Sequence, residues 1–268
     1  MYIRFELSDV DWSKAGQASF VPPPMRDQYL NSLGFAQEYF IEEQVRRGRL
    51  FLIHIDDSLA GYYIECEKIL LEFFVSSHYR SNLEEIFEAV LSHTKMERIY
   101  CKSFDSLLLK CCIRKELPYK AGGILFREYG PNFTTVSGTG DFKVRWAETS
   151  DREQLSKFDD LADSPDELER MIEGRNLNLF YSDETLIGCG YIFRIINGRN
   201  WFDIGMWVHP DLRGRGYAKQ IVNYQKGFCL ENDFSPVCGC AAGNIASKKV
   251  LEACGFIASH DLIVFDIS

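Results

Sequence analysis

The chain carries the same pattern twice. LFLIHIDDSLAGYYIE, starting at Leu50, reads as strand, tight turn, strand, and NLFYSDETLIGCGYIF, starting at Asn178, reads the same way. Asp57-Ser58-Leu59-Ala60-Gly61 aligns with Glu184-Thr185-Leu186-Ile187-Gly188 at an offset of 127 (57 against 184). A third strand follows each, Ile69–Val75 and Trp201–Val208. Then come a helix (about 82–93; about 216–231), a strand (Arg98–Cys101; Val237–Cys240), a second helix and a last strand. A unit of this size, repeated once, predicts two similar domains rather than a solenoid. Gly130-Pro131-Asn132 and Thr134–Gly140 are turn-forming and poor in large apolar residues, so they read as a linker.

Composition excludes several classes. Apolar residues make up 46% and charged residues 26%, which predicts a folded soluble chain rather than a disordered one. The net charge of −9 argues against nucleic-acid binding, which needs a basic face. No apolar run reaches the ~20 residues of a membrane helix, and Glu72 interrupts Lys68–Val75. The start, MYIRFELSDVDW, is acidic where a signal peptide is basic and then apolar, so a mature cytoplasmic protein is expected. Nine cysteines, an odd number with no C-x-x-C pair, read as buried thiols, and no ligand spacing predicts a metal.

The segment richest in chemistry is FDIGMWVHPDLRGRGYAKQIV, from Phe202 to Val222. The strand stops before Pro210, which cannot donate to a ladder. Arg213-Gly214-Arg215-Gly216 then opens directly into a helix. Two glycines at a helix N-terminus let main-chain N–H groups approach an anion, with the positive end of the dipole behind them. Arg213 and Arg215 add charge suited to a diphosphate. There is no P-loop and no G-x-G-x-x-G, which excludes the two commonest nucleotide-binding turns. Asn244 opens a later helix as a favoured N-cap, and Cys254-Gly255 closes it.

Arg213-x-x-Gly216-x-Ala218, followed 28 residues after Gly216 by NIASKKVLEACGF from Asn244, resembles the two coenzyme motifs of the GNAT superfamily of N-acetyltransferases. The resemblance covers about residues 141–268 and rests on the pair of motifs together. It implies an α/β (α+β) fold: two tandem GNAT-like domains, 1–136 and 137–268, each a mixed, mostly antiparallel sheet flanked by helices. The central strands of the second would splay apart. It implies that acetyl-CoA is the cosubstrate, that no metal is needed, and that the acceptor is a small-molecule or peptide amine. By the same resemblance the backbone near Met206, Trp207 and Val208 holds the pantetheine arm, and an N–H at Val208 serves as the oxyanion donor. The amides of Arg213, Gly214, Arg215, Gly216, Tyr217 and Ala218 cradle the diphosphate, and Asn244 and Ser247 lie along the arm.

Asp203, on the strand before the motif, is the expected general base, with His209 next. Leu251 stands where some family members carry a tyrosine acid, and neither Tyr217 nor Tyr224 replaces it in an obvious way. Aligning Val75 with Val208 sets Arg80 opposite Arg213, but Ser81, Asn82 and Leu83 opposite Gly214, Arg215 and Gly216. Asp105 falls opposite Asn244 and Leu108 opposite Ser247. The first half is therefore expected not to bind acyl-CoA, and to complete the acceptor cleft or serve as a packing partner. Asp159, Asp160, Asp163, Asp166, Glu167 and Glu169 could form an acidic wall for a cationic amine. The functional expectation is an N-acetyltransferase, monomeric or homodimeric, working by direct attack. The alternative is a non-catalytic acyl-CoA sensor or scaffold.

Overall fold

The structure, a computed structural model, describes residues 1–8, 10, 24–131, 133 and 142–267. Most of the turn-rich stretch 130–140, and with it the expected boundary between 136 and 137, lies outside them. The first half runs β1 (Ile3–Leu7), α1 (Pro24–Ser32), α2 (Tyr39–Arg47), β2 (Arg49–Ile55), β3 (Ser58–Cys66), β4 (Ile69–Val75), α3 (Leu83–His93), β5 (Arg98–Lys102), α4 (Ser106–Arg114) and β6 (Tyr119–Tyr129). The second repeats it: β7 (Lys143–Trp146), α5 (Arg152–Leu155), α6 (Pro165–Glu173), β8 (Leu177–Ser182), β9 (Thr185–Arg194), β10 (Trp201–Val208), α7 (Tyr217–Glu231), β11 (Ser235–Ala241), α8 (Ile245–Ala253) and β12 (Phe256–Asp266). Local rules place these elements. Asn244 caps α8 by accepting from the Ser247 amide, and Gly255 follows with φ +92°. Asp105 caps α4 in the same way, accepting from Leu108.

The two copies share one sheet. Its order is β1-β2-β3-β4-β5-β12-β6-β11-β10-β9-β8-β7, so each copy sends its last strand into the other's half. β12 pairs with β5 and β6 pairs with β11, while β6 and β12 run antiparallel at the centre from Phe256↔Tyr129 to Phe265↔Tyr119. The cores confirm the exchange. Phe265 of β12 is buried with Phe73, Phe87 and Ile99 of the first half, and Phe126 of β6 with Ile204, Val222 and Phe256 of the second. A fragment ending near 136 would leave β5 with an unpaired edge and an unfilled core.

In both copies the fourth and fifth strands are parallel and soon part. β10 and β11 pair only from Trp201↔Ser235 to Asp203↔Val237. Beyond that β10 continues on β9 to Val208, and β11 on β6 to Ala241, so the strands diverge around a gap. β4 and β5 pair only at Ile69↔Arg98 and Leu70↔Ile99. There the gap is filled. Lys102 donates to the Leu71 carbonyl at 3.2 Å and to the Tyr29 hydroxyl at 2.8 Å, and Tyr29 donates to Asp105 at 2.8 Å. Arg26 from α1 lies between Glu42 and Glu72, all three buried.

Candidate functional site

A cavity of about 500 Å³ opens beside the β10–β11 gap. It is lined by Met206, Trp207 and Val208 of β10, by Arg213, Gly214, Gly216, Tyr217, Ala218 and Lys219 at the start of α7, and by Asn244, Ser247 and Val250 at α8. Residues more than 40 positions apart meet there because the two helices flank the diverging strands. Gly214 (φ +76°) and Gly216 (φ +85°) take the left-handed conformation, which a Cβ makes costly. A Cβ at either would meet no atom within 4 Å, so the glycines leave open space rather than fit a crowded one. Gly216 is the N-cap of α7 and supplies no side-chain acceptor, and the first turn holds no acidic residue. The leading amides of this 15-residue helix, and the positive end of its dipole, are therefore open to an anion. The cradle fits a diphosphate.

The first half has no such cradle. There a 3-10 helix, Ser77–Asn82, leads into α3, and none of its residues has positive φ. The repeat is still legible in one bond: Arg80 Nε donates to the Val75 carbonyl, as Arg213 Nε does to Val208.

Strand geometry divides the β10 backbone. His209 N–H donates to Ile187 and Trp207 pairs with Cys189, so alternation turns Met206 and Val208 toward the gap. The Trp207 indole donates to Asp160 at 2.8 Å and packs among the α5 and α6 side chains. Trp207 thus lines the cavity while its backbone is committed to β9. Arg213 is not the mobile cation that the motif alone suggests. Its Nε donates to the Val208 carbonyl at 3.1 Å and its Nη2 donates to Asp160, whose carboxyl is held below the ordinary range by that bond and by the Trp207 indole. Arg215 lies outside the cavity lining and donates to the Asp211 carbonyl at 3.3 Å. Lys219 also lines the cavity, in the first turn of α7; sequence reasoning missed it, although that position was a signal. Asn244 spends its Oδ1 on the cap, which leaves its amide nitrogen available to a ligand.

Asp203 sits where the β10–β11 ladder ends, lining two further cavities of about 410 and 720 Å³. It accepts from the Tyr39 amide at 2.9 Å, at the start of α2. Burial pushes its carboxyl up, opposed by the nearby Arg127 and by the Tyr39 amide. The larger cavity joins both halves of the chain: Tyr39, Phe40, Glu43 and Arg47 from α2, Asp163, Ser164, Glu167 and Arg170 around the start of α6, and Tyr191 and Phe193 of β9. Tyr39 stacks on Phe193 with ring centres 4.2 Å apart.

Only part of the acidic wall is there. Asp163 and Glu167 line this cavity, Asp160 pairs with Arg213, and Glu169 pairs with Arg152. His209 is turned to the Asp211 amide and lines none of these cavities. Leu251 is core, and Tyr224 packs on Phe180. The cysteines of the described residues are free, and all but Cys240 are buried. Among the described residues no group of three or more His, Cys, Asp or Glu is placed to hold a metal, and no helix is long and apolar enough to cross a membrane.

Comparisons with known proteins agree with this architecture. A model of the acetyltransferase (GNAT) domain matches residues 23–129, and a model of the acetyltransferase (GNAT) family matches residues 120–256. The structure is similar to a GNAT-family acetyltransferase from Colwellia psychrerythraea, at TM-score 0.82 and 14% identity over 100% of both chains. It is also similar to a tandem GNAT protein from the clavulanic acid biosynthesis pathway, at TM-score 0.61 and 12% identity over 98% of both chains. A GCN5-related N-acetyltransferase from Sphaerobacter thermophilus gives TM-score 0.55 and 12% identity, over 81% of this chain and 79% of that one. At these identities the likeness is one of fold. No curated protein matches the sequence.

Proposed function

The chain belongs to the GNAT family of acetyltransferases, and from that premise we propose that it moves the acetyl group of acetyl-CoA to the primary amine of a small-molecule or peptide acceptor by direct attack. The observation that carries this reading is the open cradle at the start of α7, running into the gap between β10 and β11. In it the amides of Tyr217 and Ala218 and the Lys219 ammonium hold the diphosphate, with Gly214 and Gly216 keeping side chains out of the way. Met206 and Val208 offer backbone groups to the pantetheine arm much as a neighbouring strand would. The Asn244 amide nitrogen donates to the same arm, with Ser247 beside it.

The coenzyme supplies the activated thioester. The Val208 N–H, fixed in a strand, stabilises negative charge on the carbonyl oxygen under attack. Asp203 stands where the acceptor's ammonium must lose a proton before its nitrogen can attack. The acceptor lies in the 720 Å³ cavity, so the first half completes the acceptor side. Burial pushes the Cys240 thiol up, which disfavours a relay through an acyl-thiol.

One observation favours a second reading, a non-catalytic acyl-CoA sensor: Leu251 is buried where a tyrosine acid would stand. Thiol release from acetyl-CoA in the presence of polyamines, aminoglycosides, amino-acid amides and a lysine peptide separates the two. An enzyme releases CoA with at least one of them, and a sensor binds acetyl-CoA without turnover across the panel.

A further inference from the structure

A second carboxyl shares a cavity with Asp203, contributed by the other half of the chain. Glu38 is the N-cap residue of α2, yet its side chain makes no cap bond. Its Oε2 is buried without a hydrogen-bond partner. Its Oε1 lies 2.4 Å from where a Cβ on Gly239 of β11 would stand, so the carboxyl rests on the strand that parts from β10. It lines the 410 Å³ cavity with Asp203, Gly239 and Cys240, and that cavity shares Phe40, Asp203 and Gly239 with the acceptor cavity. The titratable groups facing it come from four strands, Asp203 from β10, Cys240 from β11, Arg127 from β6 and Lys102 from β5, while β12 adds the apolar Leu262 and Val264 to the same cavity. Arg127 is buried and donates to the carbonyls of Ala36, Phe126 and Cys238. Lys102 is committed to Tyr29, Gln37 and Leu71.

We infer that Glu38 and Asp203 form one carboxyl pair that takes up a single proton, and that Glu38 is the member that accepts it from the acceptor's ammonium. The inference rests on the transferase reading and deepens it. Two buried carboxylates beside one guanidinium cannot both stay charged cheaply. Asp203 has the Tyr39 amide as a donor, whereas Glu38 has an oxygen with none, so Glu38 is the easier of the two to protonate. Burial, with Asp203 adding to it and Arg127 and Lys102 opposing it, pushes Glu38 up to about 7. A base there is half-ionised at neutral pH.

The balance closes. The ammonium gives one proton to the Glu38 carboxylate and becomes an amine. The N–C bond then forms and the C–S bond breaks. The second nitrogen-bound proton leaves with the thiolate as CoA thiol, and Glu38 returns its proton to solvent. Because Glu38 comes from the first half and Asp203 from the second, the base exists only when both copies are assembled.

The test uses the full chain with Glu38→Gln, and with Gly239→Ala, whose methyl pushes the carboxyl aside without removing it. Carbon-13 NMR of glutamate-labelled protein, assigned with E38Q, is expected to show Glu38 titrating at about 7. Titration in the ordinary carboxylate range would overturn the pairing whether or not an acceptor is known. With the best amine of the panel, both variants are expected to lose about 100-fold or more in turnover. The limb of the wild-type profile that rises through about 7 should be lost in E38Q. Acetyl-CoA affinity by calorimetry should stay within about twofold, a difference of less than ~0.5 kcal/mol. Retained turnover with an unchanged limb would sink the inference. A wild-type protein that binds no acetyl-CoA would instead sink the transferase reading.

Discussion

Replacing Gly216 with Val is expected to weaken acetyl-CoA binding by about 100-fold or more, ~3 kcal/mol, with the fold intact. Gly216 has φ +85°, and no protein atom lies within 4 Å of the position its Cβ would take. The valine would therefore meet the diphosphate rather than the protein, and its branch would shield the leading amides of α7. The backbone strain alone costs about 1–2 kcal/mol of stability. Gly198→Val is the matched control, because Gly198 also has positive φ (+78°) and an empty surround, in the turn between β9 and β10. Both variants should lose similar stability, and only Gly216→Val should lose binding, as read by titration calorimetry. Equal affinity in the two would remove the cradle from the account.

The second large effect lies in the first half. Arg26→Ala is expected to lower stability by about 3–5 kcal/mol, because it leaves two buried carboxylates without their cation. Arg26 donates to Glu42 at 2.7 and 3.2 Å and to Glu72 at 2.8 and 3.1 Å, and Glu72 also accepts from Tyr62 at 3.0 Å. For a chain of this size that is a fall in Tm of about 10 °C. The loss depends on pH. Burial alone would raise the Glu72 carboxyl, and Arg26 overrides it and holds it below the ordinary value. A lowered carboxyl contributes stability above its unfolded pKa and loses it as pH falls through the folded one. Without Arg26, burial acts on Glu72 against only Lys102 and the Tyr62 hydroxyl, so in the variant its carboxyl takes up a proton at higher pH, and the deficit should be large at pH 7 and shrink toward pH 4, which thermal melts across that range would check. A deficit independent of pH would mean that packing, not charge, holds α1 in the β4–β5 gap.

The two copies differ in what lies beside their diverging strands. In the second copy the space beside the diverging strands is open and faced by helix amides. In the first, Lys102, Tyr29 and the Arg26 network occupy it. The sequence marks the difference at Ser81-Asn82-Leu83, where side chains replace the glycines, and a 3-10 turn occupies the matching place in the structure. The repeat itself, the strands flanking both turns and the Asn244 cap were equally legible, because each follows from local pattern.

What the sequence hid depends on distance along the chain. Nothing local distinguishes β6 from β12 as a partner for β5, since both are last strands of like units, and pairing is decided by the assembled edges. Arg213 reads as free charge because Asp160 stands 53 positions away and only the fold brings the two together. Glu38 drew no reading from the sequence because nothing local marks it; only the fold brings its carboxyl against Gly239 of β11 and into one cavity with Asp203. Asp203 could face either way on an alternating strand; packing against α2 buries it beside that glutamate.

The most direct test of the central claim is a crystal structure of the full chain grown with acetyl-CoA. The account predicts the diphosphate on the amides that open α7 and the pantetheine arm along Met206 and Val208. The thioester should lie near Asp203 and Glu38, with the β4–β5 gap still filled by Lys102 and Tyr29. Coenzyme lodged in the first copy, or bound away from α7 with the β10–β11 gap empty, would contradict it.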